Sequence, residues 1–376
     1  SIVNLIIRPP RISYGPEHLG PTKSTAAGRE YKRVDTRLSV RQPEKEGEKE
    51  IRQYFDVSLF APLSKYKAGA TSLSPAVPTV LYVHGNSGCR LDGLDLLPDL
   101  LPLGFALVLF DARGSGNADG DFVSLSARER VDVQTVLQWL RSERSPINVG
   151  RVCLWGRSMG AATALAVGRD DPSVAALVCD STFASLESLC YELVDQVVGV
   201  GLPRFMVTAG IRLVASSVKS RADYDIYELK PEEWAASCYM PALFGHGVDD
   251  DFIKPSHTQR VHDAYAGDAQ LHFFPGDHNA LRPPEFRQAA ALFLLSTIAG
   301  PSTAGRTDHI FPDAAADIDS PPRARTSTPY VSRITDMPVR AIKAELRSLG
   351  VSYDDCIERQ DLEQRLADAR AAPPPS

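Results

Sequence analysis

Short, continuous runs of apolar residues alternate with longer amphipathic segments through the middle of the chain. In the segments Arg128–Leu140 and Pro255–Tyr265, apolar residues recur at helical spacing. Continuously apolar strands that alternate with such helices are typical of a parallel sheet with helices on both faces. The pattern therefore predicts an α/β fold with a mostly parallel sheet. The apolar runs are Thr79–Val83, Phe105–Phe110, Val152–Trp155, Val174–Cys179, Ala242–Phe244 and Gln270–Phe274.

The first part of this domain has a different pattern. Between Tyr31 and Phe60, two stretches rich in β-branched and aromatic residues flank the charged segment Pro43–Gly47. This arrangement predicts a hairpin with an exposed tip. We interpret residues 1–30 as an N-terminal extension and residues 31–298 as one large α/β domain.

The segment at about residues 181–238 interrupts the alternation. It is long, mostly helical in pattern, and strongly apolar around Val197–Val218. We interpret it as a helical cap inserted over the C-terminal edge of the sheet. Because a simple crossover needs only a dozen or so residues, two ordinary crossover helices are the alternative.

The C-terminal region has a composition of its own. Residues 299–329 are rich in Pro, Ala, Ser, Thr and Asp, a composition typical of a disordered linker. Beyond it, one helix is predicted from Pro338 to the Gly350 stop and a second from about Ile357 through Leu366. Residues 330–370 are therefore expected to form a small two-helix module, and residues 371–376 a disordered tail.

Composition and charge narrow the function classes. The 376 residues carry 41 Lys and Arg against 47 Asp and Glu, a net charge of −6, so a general electrostatic grip on nucleic acid is not expected. The six cysteines form no CxxC pair, and neither a metal site nor a cofactor is predicted. No apolar run approaches the length of a transmembrane helix, and Ile2–Ile7 is too short for a signal-peptide core. We expect a cytoplasmic protein, with peripheral membrane association as the alternative.

One motif indicates chemistry. Gly156-Arg157-Ser158-Met159-Gly160 is a GxSxG sequence between an apolar strand and the start of a predicted helix. In such a strand–turn–helix the glycines permit a tight turn, and the serine hydroxyl projects above the sheet. Ser158 is therefore the candidate nucleophile; a glycine-lined turn without chemistry is the alternative.

A serine nucleophile needs a base and a carboxylate that orients the base. Of the eight histidines, His278 lies in the loop after the last predicted strand, where its side chain can reach Ser158. The chain order Ser, acid, His places the acid between them, and Asp249, Asp250 and Asp251 are the candidates. The other histidines lie in flanking segments, in predicted elements, or before a glycine at a strand end: His18, His84, His246, His257, His262, His272 and His309.

An oxyanion intermediate needs two backbone N–H donors. Met159, at the start of the helix, supplies one, and Asn86, after His84-Gly85, is placed to supply the other. We interpret His84 itself as a side chain that stabilises the turn.

Five motifs in order make the chain similar to the α/β-hydrolase superfamily, specifically to its serine-aminopeptidase-like (S33-type) branch, over about residues 31–297. The resemblance implies that the acid is Asp250, the fifth residue of an HGxxD motif, with Asp249 as a strand-end cap and Asp251 as a solvated neighbour. Asp180 is the reserve candidate. It also implies that the 181–238 segment caps the active site. The motifs are Tyr82–Gly88, Asp111–Gly116, Gly156–Gly160, His246–Ile253 and Gly276–Asn279.

The resemblance implies a serine hydrolase, and the substrate stays open because fold and triad are shared by several activities. An apolar cap favours an ester or thioester of a small or lipid-like molecule, unless those side chains pack only with each other. An aminopeptidase is the alternative; it would use a cap carboxylate such as Glu187, Glu192, Asp195 or Asp223. A third reading is a non-catalytic scaffold.

The C-terminal helices add one further expectation. Residues Ile334–Leu366 resemble a SAP-like helix-loop-helix, a module that often binds DNA. Between Arg333 and Arg370 the chain has seven basic and eight acidic residues, a balance that disfavours binding to the phosphates of nucleic acid. We therefore expect this module to contact a protein partner rather than nucleic acid.

Overall fold

The strands of the sheet follow one another along the chain much as the hydrophobic pattern predicts. The structure is a computed structural model. It describes residues 2–26, 28–43, 50–67, 76–198 and 203–299, together with residues 365, 366 and 368. The strands are β1 (Lys23–Ala26), β2 (Arg29–Pro43), β3 (Glu50–Pro62), β4 (Val77–Val83), β5 (Ala106–Phe110), β6 (Val149–Arg157), β7 (Leu177–Asp180), β8 (Ala242–Gly247) and β9 (Ala269–Phe274).

These strands form one sheet in the order β1-β2-β3-β5-β4-β6-β7-β8-β9. The first three pairs in this order, β1–β2, β2–β3 and β3–β5, are antiparallel, and every pair from β5–β4 to β8–β9 is parallel. The predicted α/β fold with a mostly parallel sheet is confirmed. Strand β7 begins later than the predicted run at Val174 because that residue closes a turn, with its N–H donating to the carbonyl of Asp171.

Helices cover both faces of the sheet, as the fully apolar strands require. On one face, α3, α4 and α8 pack around side chains such as Leu81 and Phe244. On the other face, α2 and α9 pack around Leu107 and Trp155. The helices are α1 (Ile2–Ile7), α2 (Leu97–Leu100), α3 (Glu129–Leu140), α4 (Met159–Asp170), α5 (Leu186–Val198), α6 (Arg204–Ala222), α7 (Pro231–Ala235), α8 (Pro255–Ala264) and α9 (Pro284–Ala299).

The sheet begins earlier in the chain than the sequence indicates. Strands β2 and β3 form the predicted hairpin, and the central part of its tip, residues 44–49, lies outside the described residues. Strand β1 pairs with β2, Lys23 opposite Lys32, although residues 1–30 were expected to be an extension. The boundary at Tyr31 is therefore too late. Strand β1 is polar and only four residues long. It has no alternation of apolar and polar residues, so its sequence does not predict a strand.

The segment at residues 181–238 is helical, as predicted. Helices α5 and α6 pack on each other, and Val207, Ile211 and Val218 of α6 are buried at helical spacing. Their cluster includes Met159 of α4 and Ile7 of α1. None of the helices within the described ranges is both long and apolar enough to cross a membrane.

The N-terminal segment runs from the helices of residues 181–238, the predicted cap, to the loop that follows β5. Ile7 is fully buried in the cap cluster, and its carbonyl accepts a hydrogen bond from the N–H of Val123. Residues 8–14, which we call the N-terminal strap, continue to a buried tyrosine, Tyr14. The strap is thus held at both ends.

The chain divides into two units, Ser1–Asp308 and His309–Ser376. The predicted linker, SAP-like module and tail at residues 299–376 lie outside the described residues, apart from residues 299, 365, 366 and 368. Arg365, Leu366 and Asp368 are helical.

The junction of β6 and α4 leaves no room for side chains at its two glycines. A Cβ on Gly156 would overlap the carbonyl of Gly160, and a Cβ on Gly160 would overlap the carbonyl oxygen of Val83 in β4. Helix α4 can therefore start against the end of β4 only if position 160 is glycine.

Two glycine-to-alanine changes test this close approach. We expect Gly160→Ala to lower the free energy of unfolding by about 3 kcal/mol or more, because backbone atoms must move to admit the methyl group. Gly210→Ala is the control: Gly210 lies in α6 with no atom within 4 Å of the added Cβ, so it should raise stability by up to about 1 kcal/mol. Urea unfolding measures both changes, and equal effects at the two sites would contradict the packing argument.

Candidate active site

Ser158 lies at the turn between β6 and α4, in a backbone conformation that few side chains adopt. Its φ of 54° and ψ of −118° turn the chain sharply before the helix begins. The N–H of Ser158 donates to the carbonyl of Asp180, 2.7 Å away, and its own carbonyl accepts from the N–H groups of Ala161 and Ala162. Such a conformation costs about 1–3 kcal/mol and persists because these contacts and the glycines fix the turn.

His278 reaches Ser158 from the loop after β9. Its Nε2 lies 3.1 Å from the Oγ of Ser158, and both side chains are largely buried. The backbone carbonyl of His278 accepts hydrogen bonds from the guanidinium groups of Arg157, at 2.8 Å, and of Arg282, at 3.3 Å. Arg157 precedes the serine, so the same turn that presents Ser158 also holds the loop that carries His278.

Asp250 completes a continuous path of hydrogen bonds. Its Oδ2 lies 2.6 Å from Nδ1 of His278, and its Oδ1 accepts from the N–H groups of Phe252 and Ile253. Burial alone would raise the pKa of Asp250, but the hydrogen bonds from His246, His278 and Ile253 together hold that pKa well below its usual range. Asp250 is thus a carboxylate at neutral pH, which fixes the proton of His278 on Nδ1 and leaves Nε2 facing the serine.

A second histidine, His246, also contacts this carboxylate, a contact that the sequence analysis does not predict. Its Nε2 faces two acceptors, Oδ2 of Asp250 at 3.1 Å and the carbonyl of Ile253 at 2.7 Å, so this nitrogen donates. Its Nδ1 lies 2.6 Å from the hydroxyl of Thr258 in α8. The histidine of the HGxxD motif therefore holds the acid of the same motif in place.

The other candidates for the acid have separate roles. Asp249 accepts a hydrogen bond from the N–H of Gly276 and joins the ends of β8 and β9, and Asp251 is exposed. Asp180 pairs with Arg282, Nε to Oδ2 at 2.7 Å, and with the hydroxyl of Ser181. The structure brings none of these three carboxylates to His278.

The two backbone N–H groups expected to bind an oxyanion lie beside Ser158. Met159 is the first residue of α4, and Asn86 follows Gly85, where an added Cβ would lie 3.6 Å from the Cβ of Ser158. Within the described part of the chain, neither N–H donates to another residue. His84, as expected, holds the turn: its Nδ1 donates to the carbonyl of Gly85, and its Nε2 accepts from the N–H of Ala112.

A cavity of about 450 Å³ opens at Ser158 and His278. None of the described residues of the 181–238 segment (181–198 and 203–238) lines it, although the sequence predicts that this segment covers the active site. Phe205 and Leu213 of α6 point to solvent, and Ile211 packs inside the cap. The lining is Pro9, Pro10, Ile12, Gly85, Asn86, Ser87, Gly88, Asp92, Arg157, Ser158, Phe252, His278 and Asn279.

The sequence does not predict two parts of this lining. The N-terminal strap contributes Pro9, Pro10 and Ile12, and the 3₁₀ turn Arg90–Leu96 contributes the carboxyl group of Asp92. Burial is the largest influence on Asp92 and raises its pKa. In the described ranges, no group of three or more His, Cys, Asp or Glu side chains is arranged to hold a metal ion.

The arrangement can make the hydroxyl of Ser158 reactive. Nε2 of His278 can take the proton of Ser158 as the oxygen attacks, while Asp250 stabilises the imidazolium that forms. The two N–H donors then face the negative charge that develops on the attacked atom.

Comparisons with known proteins agree with this architecture. The family model of the X-Pro dipeptidyl-peptidases (S15 family) matches residues 23–198, a range that contains Asn86 and Ser158 and ends before Asp250 and His278. The esterase Pf2001 of Pyrococcus furiosus has a similar fold, with a TM-score of 0.51 at 17% identity over 77% of this chain and 97% of the esterase.

Two relatives are known only as uncharacterized proteins. Protein YqkD of Bacillus subtilis is 27% identical over 206 residues, which cover 54% of this chain and 65% of the relative. This chain thus spans just under two thirds of the length of that relative. The 31.7 kDa protein in the traX-finO intergenic region of Escherichia coli is 30% identical over 227 residues, 50% of this chain and 78% of the relative.

Substitution of the acid tests the hydrogen-bond path. We expect Asp250→Asn to slow phosphonylation of Ser158 by a fluorophosphonate about 10³–10⁴-fold, because the amide cannot hold His278 in the required tautomer. Asp249→Asn, one residue away, should label at close to the wild-type rate. The rates are read by intact-protein mass spectrometry, and equal rates in the two variants would refute the assignment of Asp250.

Proposed function

Because this chain belongs to the α/β-hydrolase superfamily, and within it to the same family as the 31.7 kDa Escherichia coli protein, we propose that it is a serine hydrolase. Its substrate is an ester or thioester of a small or lipid-like molecule. The observation that carries the proposal is the continuous path from Asp250 through His278 to Ser158, with contacts of 2.6 and 3.1 Å. A fold retained only as a binding scaffold would not need these three side chains to form a continuous hydrogen-bond path.

In the first half of the reaction, the Oγ of Ser158 attacks the substrate carbonyl carbon while Nε2 of His278 accepts its proton. The carbonyl oxygen becomes an oxyanion, which the N–H groups of Asn86 and Met159 bind. Each such donor is worth about 2.7–4 kcal/mol in other serine hydrolases. His278 then gives the proton to the departing alcohol or thiol, and an acyl-enzyme on Ser158 is left.

In the second half, water replaces the alcohol. His278 accepts a proton from the water, whose oxygen attacks the acyl carbon, and the same two N–H groups bind the second oxyanion. When the intermediate collapses, the proton returns from His278 to the Oγ of Ser158 and the carboxylic acid is released. Asp250 remains ionised throughout and stabilises the imidazolium in both steps.

The cavity supports a compact substrate with an apolar group. Its volume of about 450 Å³ lies in the range of small-molecule sites, and Pro9, Pro10, Ile12 and Phe252 contribute apolar surface to it. The Pyrococcus furiosus neighbour with this fold is described as an esterase, which agrees with the preference for esters.

An aminopeptidase-like activity is the second candidate. The matching family model describes X-Pro dipeptidyl-peptidases, and such a substrate brings a free ammonium group that needs an acceptor. The cap carboxylate Glu192 does not line the cavity and faces Lys254 and His257. Asp92 lines the cavity, and its carboxyl group is the candidate acceptor for the ammonium; burial raises the pKa of this carboxyl group.

Parallel assays separate the two activities. We expect kcat/KM for p-nitrophenyl butyrate to exceed that for aminoacyl and X-Pro p-nitroanilides, since Pro9, Pro10, Ile12 and Phe252 offer apolar surface to an acyl group. In Ser158→Ala, kcat/KM for the ester should fall at least about 10³-fold. Preference for the anilides, lost in Asp92→Asn, would establish the peptidase; equal ester hydrolysis by wild type and Ser158→Ala would overturn the proposal.

A further inference from the structure

The N-terminal strap is part of the wall around the candidate nucleophile. Pro9, Pro10 and Ile12 line the same cavity as Ser158 and His278, although more than 140 residues separate them in the chain from Ser158. The triad and the oxyanion donors need nothing from this segment. Its position therefore requires an explanation of its own.

The first half of the strap is fixed to the loop that follows β5. The guanidinium of Arg11 donates to the carbonyls of Gly114, at 3.1 Å, and Gly120, at 2.8 Å. Arg8 forms an exposed ion pair with Asp121, which adds little by itself. Because Ile7 is buried on one side of the prolines and Arg11 is tied down on the other, Pro9 and Pro10 are held where they line the cavity.

The second half is fixed by a buried network. The hydroxyl of Tyr14 donates to Oδ2 of Asp111 and accepts from Nε of Arg90, both at 2.6 Å. Burial, followed by the nearby Asp111, raises the pKa of Tyr14, so the phenol stays protonated and donates. The side-chain amide of Asn117 also donates to the carbonyl of Tyr14.

The same carboxylate anchors the loop that carries an oxyanion donor. Oδ1 of Asp111 accepts from the backbone N–H of Arg90, 2.8 Å away, just after the segment His84–Gly88. Asp111 thus links the strap to the loop of Asn86. Two consecutive prolines with fixed φ angles add stiffness between the anchors, so this wall needs little ordering when a substrate binds.

We propose that residues 9–12 of the N-terminal strap form a substrate-contacting wall that limits the size of the apolar group bound beside Ser158. The preferred substrates are then esters whose acyl or alcohol group is compact. This inference rests on the proposed hydrolase function and deepens it, because it assigns the size limit to the strap rather than to the cap.

Ile12 offers the sharpest test because its side chain lines the cavity and is 43% exposed, so it can be changed without disturbing the core. Ile12→Ala enlarges the site and Ile12→Trp narrows it. Ile51 in β3 is the matched control: it is an isoleucine of 42% exposure that does not line the cavity. The same two substitutions at Ile51 show what a surface change does by itself.

Two substrate series are measured as ratios of kcat/KM. One compares p-nitrophenyl octanoate with p-nitrophenyl acetate, and the other compares 2-naphthyl acetate with phenyl acetate. In at least one series, we expect Ile12→Ala to raise the preference for the larger group by about tenfold and Ile12→Trp to lower it, with both Ile51 variants like wild type.

The outcomes separate the inference from the function on which it rests. Three results would overturn the role of the strap while ester hydrolysis stands. Both Ile12 variants could keep the wild-type ratios in both series, both could shift the ratio in the same direction, or the Ile51 variants could shift it equally. Absence of hydrolysis of every ester by the wild-type protein would overturn the proposed function, and the inference with it.

Discussion

The close approach of α4 to the end of β4 is the constraint on which the site depends. Gly156 and Gly160 allow the chain to turn through Ser158 with a φ of 54°, and neither position has space for a Cβ. The turn orients the first N–H of α4 and brings Arg157 to the carbonyl of His278. One packing requirement at the carboxyl ends of the parallel strands thus positions Ser158, the N–H of Met159 and the loop of His278 together.

Two buried carboxylates, Asp250 and Asp111, hold the other parts of the site in place. Asp250 is buried yet ionised because two histidines and two backbone N–H groups donate to it, and these contacts fix its orientation toward His278. A second buried carboxylate, Asp111, performs a similar task at the next loop, where it joins Tyr14 of the N-terminal strap to Arg90. The two carboxylates stabilise separate parts of the site: Asp250 the hydrogen-bond path to Ser158, and Asp111 the cavity wall.

The sheet and the positions of the proposed triad can be predicted from the sequence because both depend on local signals. Apolar runs mark the parallel strands, and GxSxG and HGxxD lie at strand ends whose geometry the fold dictates. The strap could not be predicted, because Arg11 and Tyr14, which flank Ile12, are held by tertiary contacts with residues about 100 positions away. Nor does periodicity tell whether the apolar residues of α6 face a substrate or each other; in the structure Ile211 packs within the cap and Leu213 faces solvent.

The central claim is that Ser158 becomes covalently acylated during turnover. Rapid-quench mass spectrometry of the wild-type protein mixed with p-nitrophenyl butyrate tests it most directly. The account predicts that, before steady state, the peptide that contains Ser158 gains the mass of one butyryl group, and that this adduct disappears as substrate is exhausted. Product formation with Ser158 unmodified, or with the butyryl group on another residue, would contradict it.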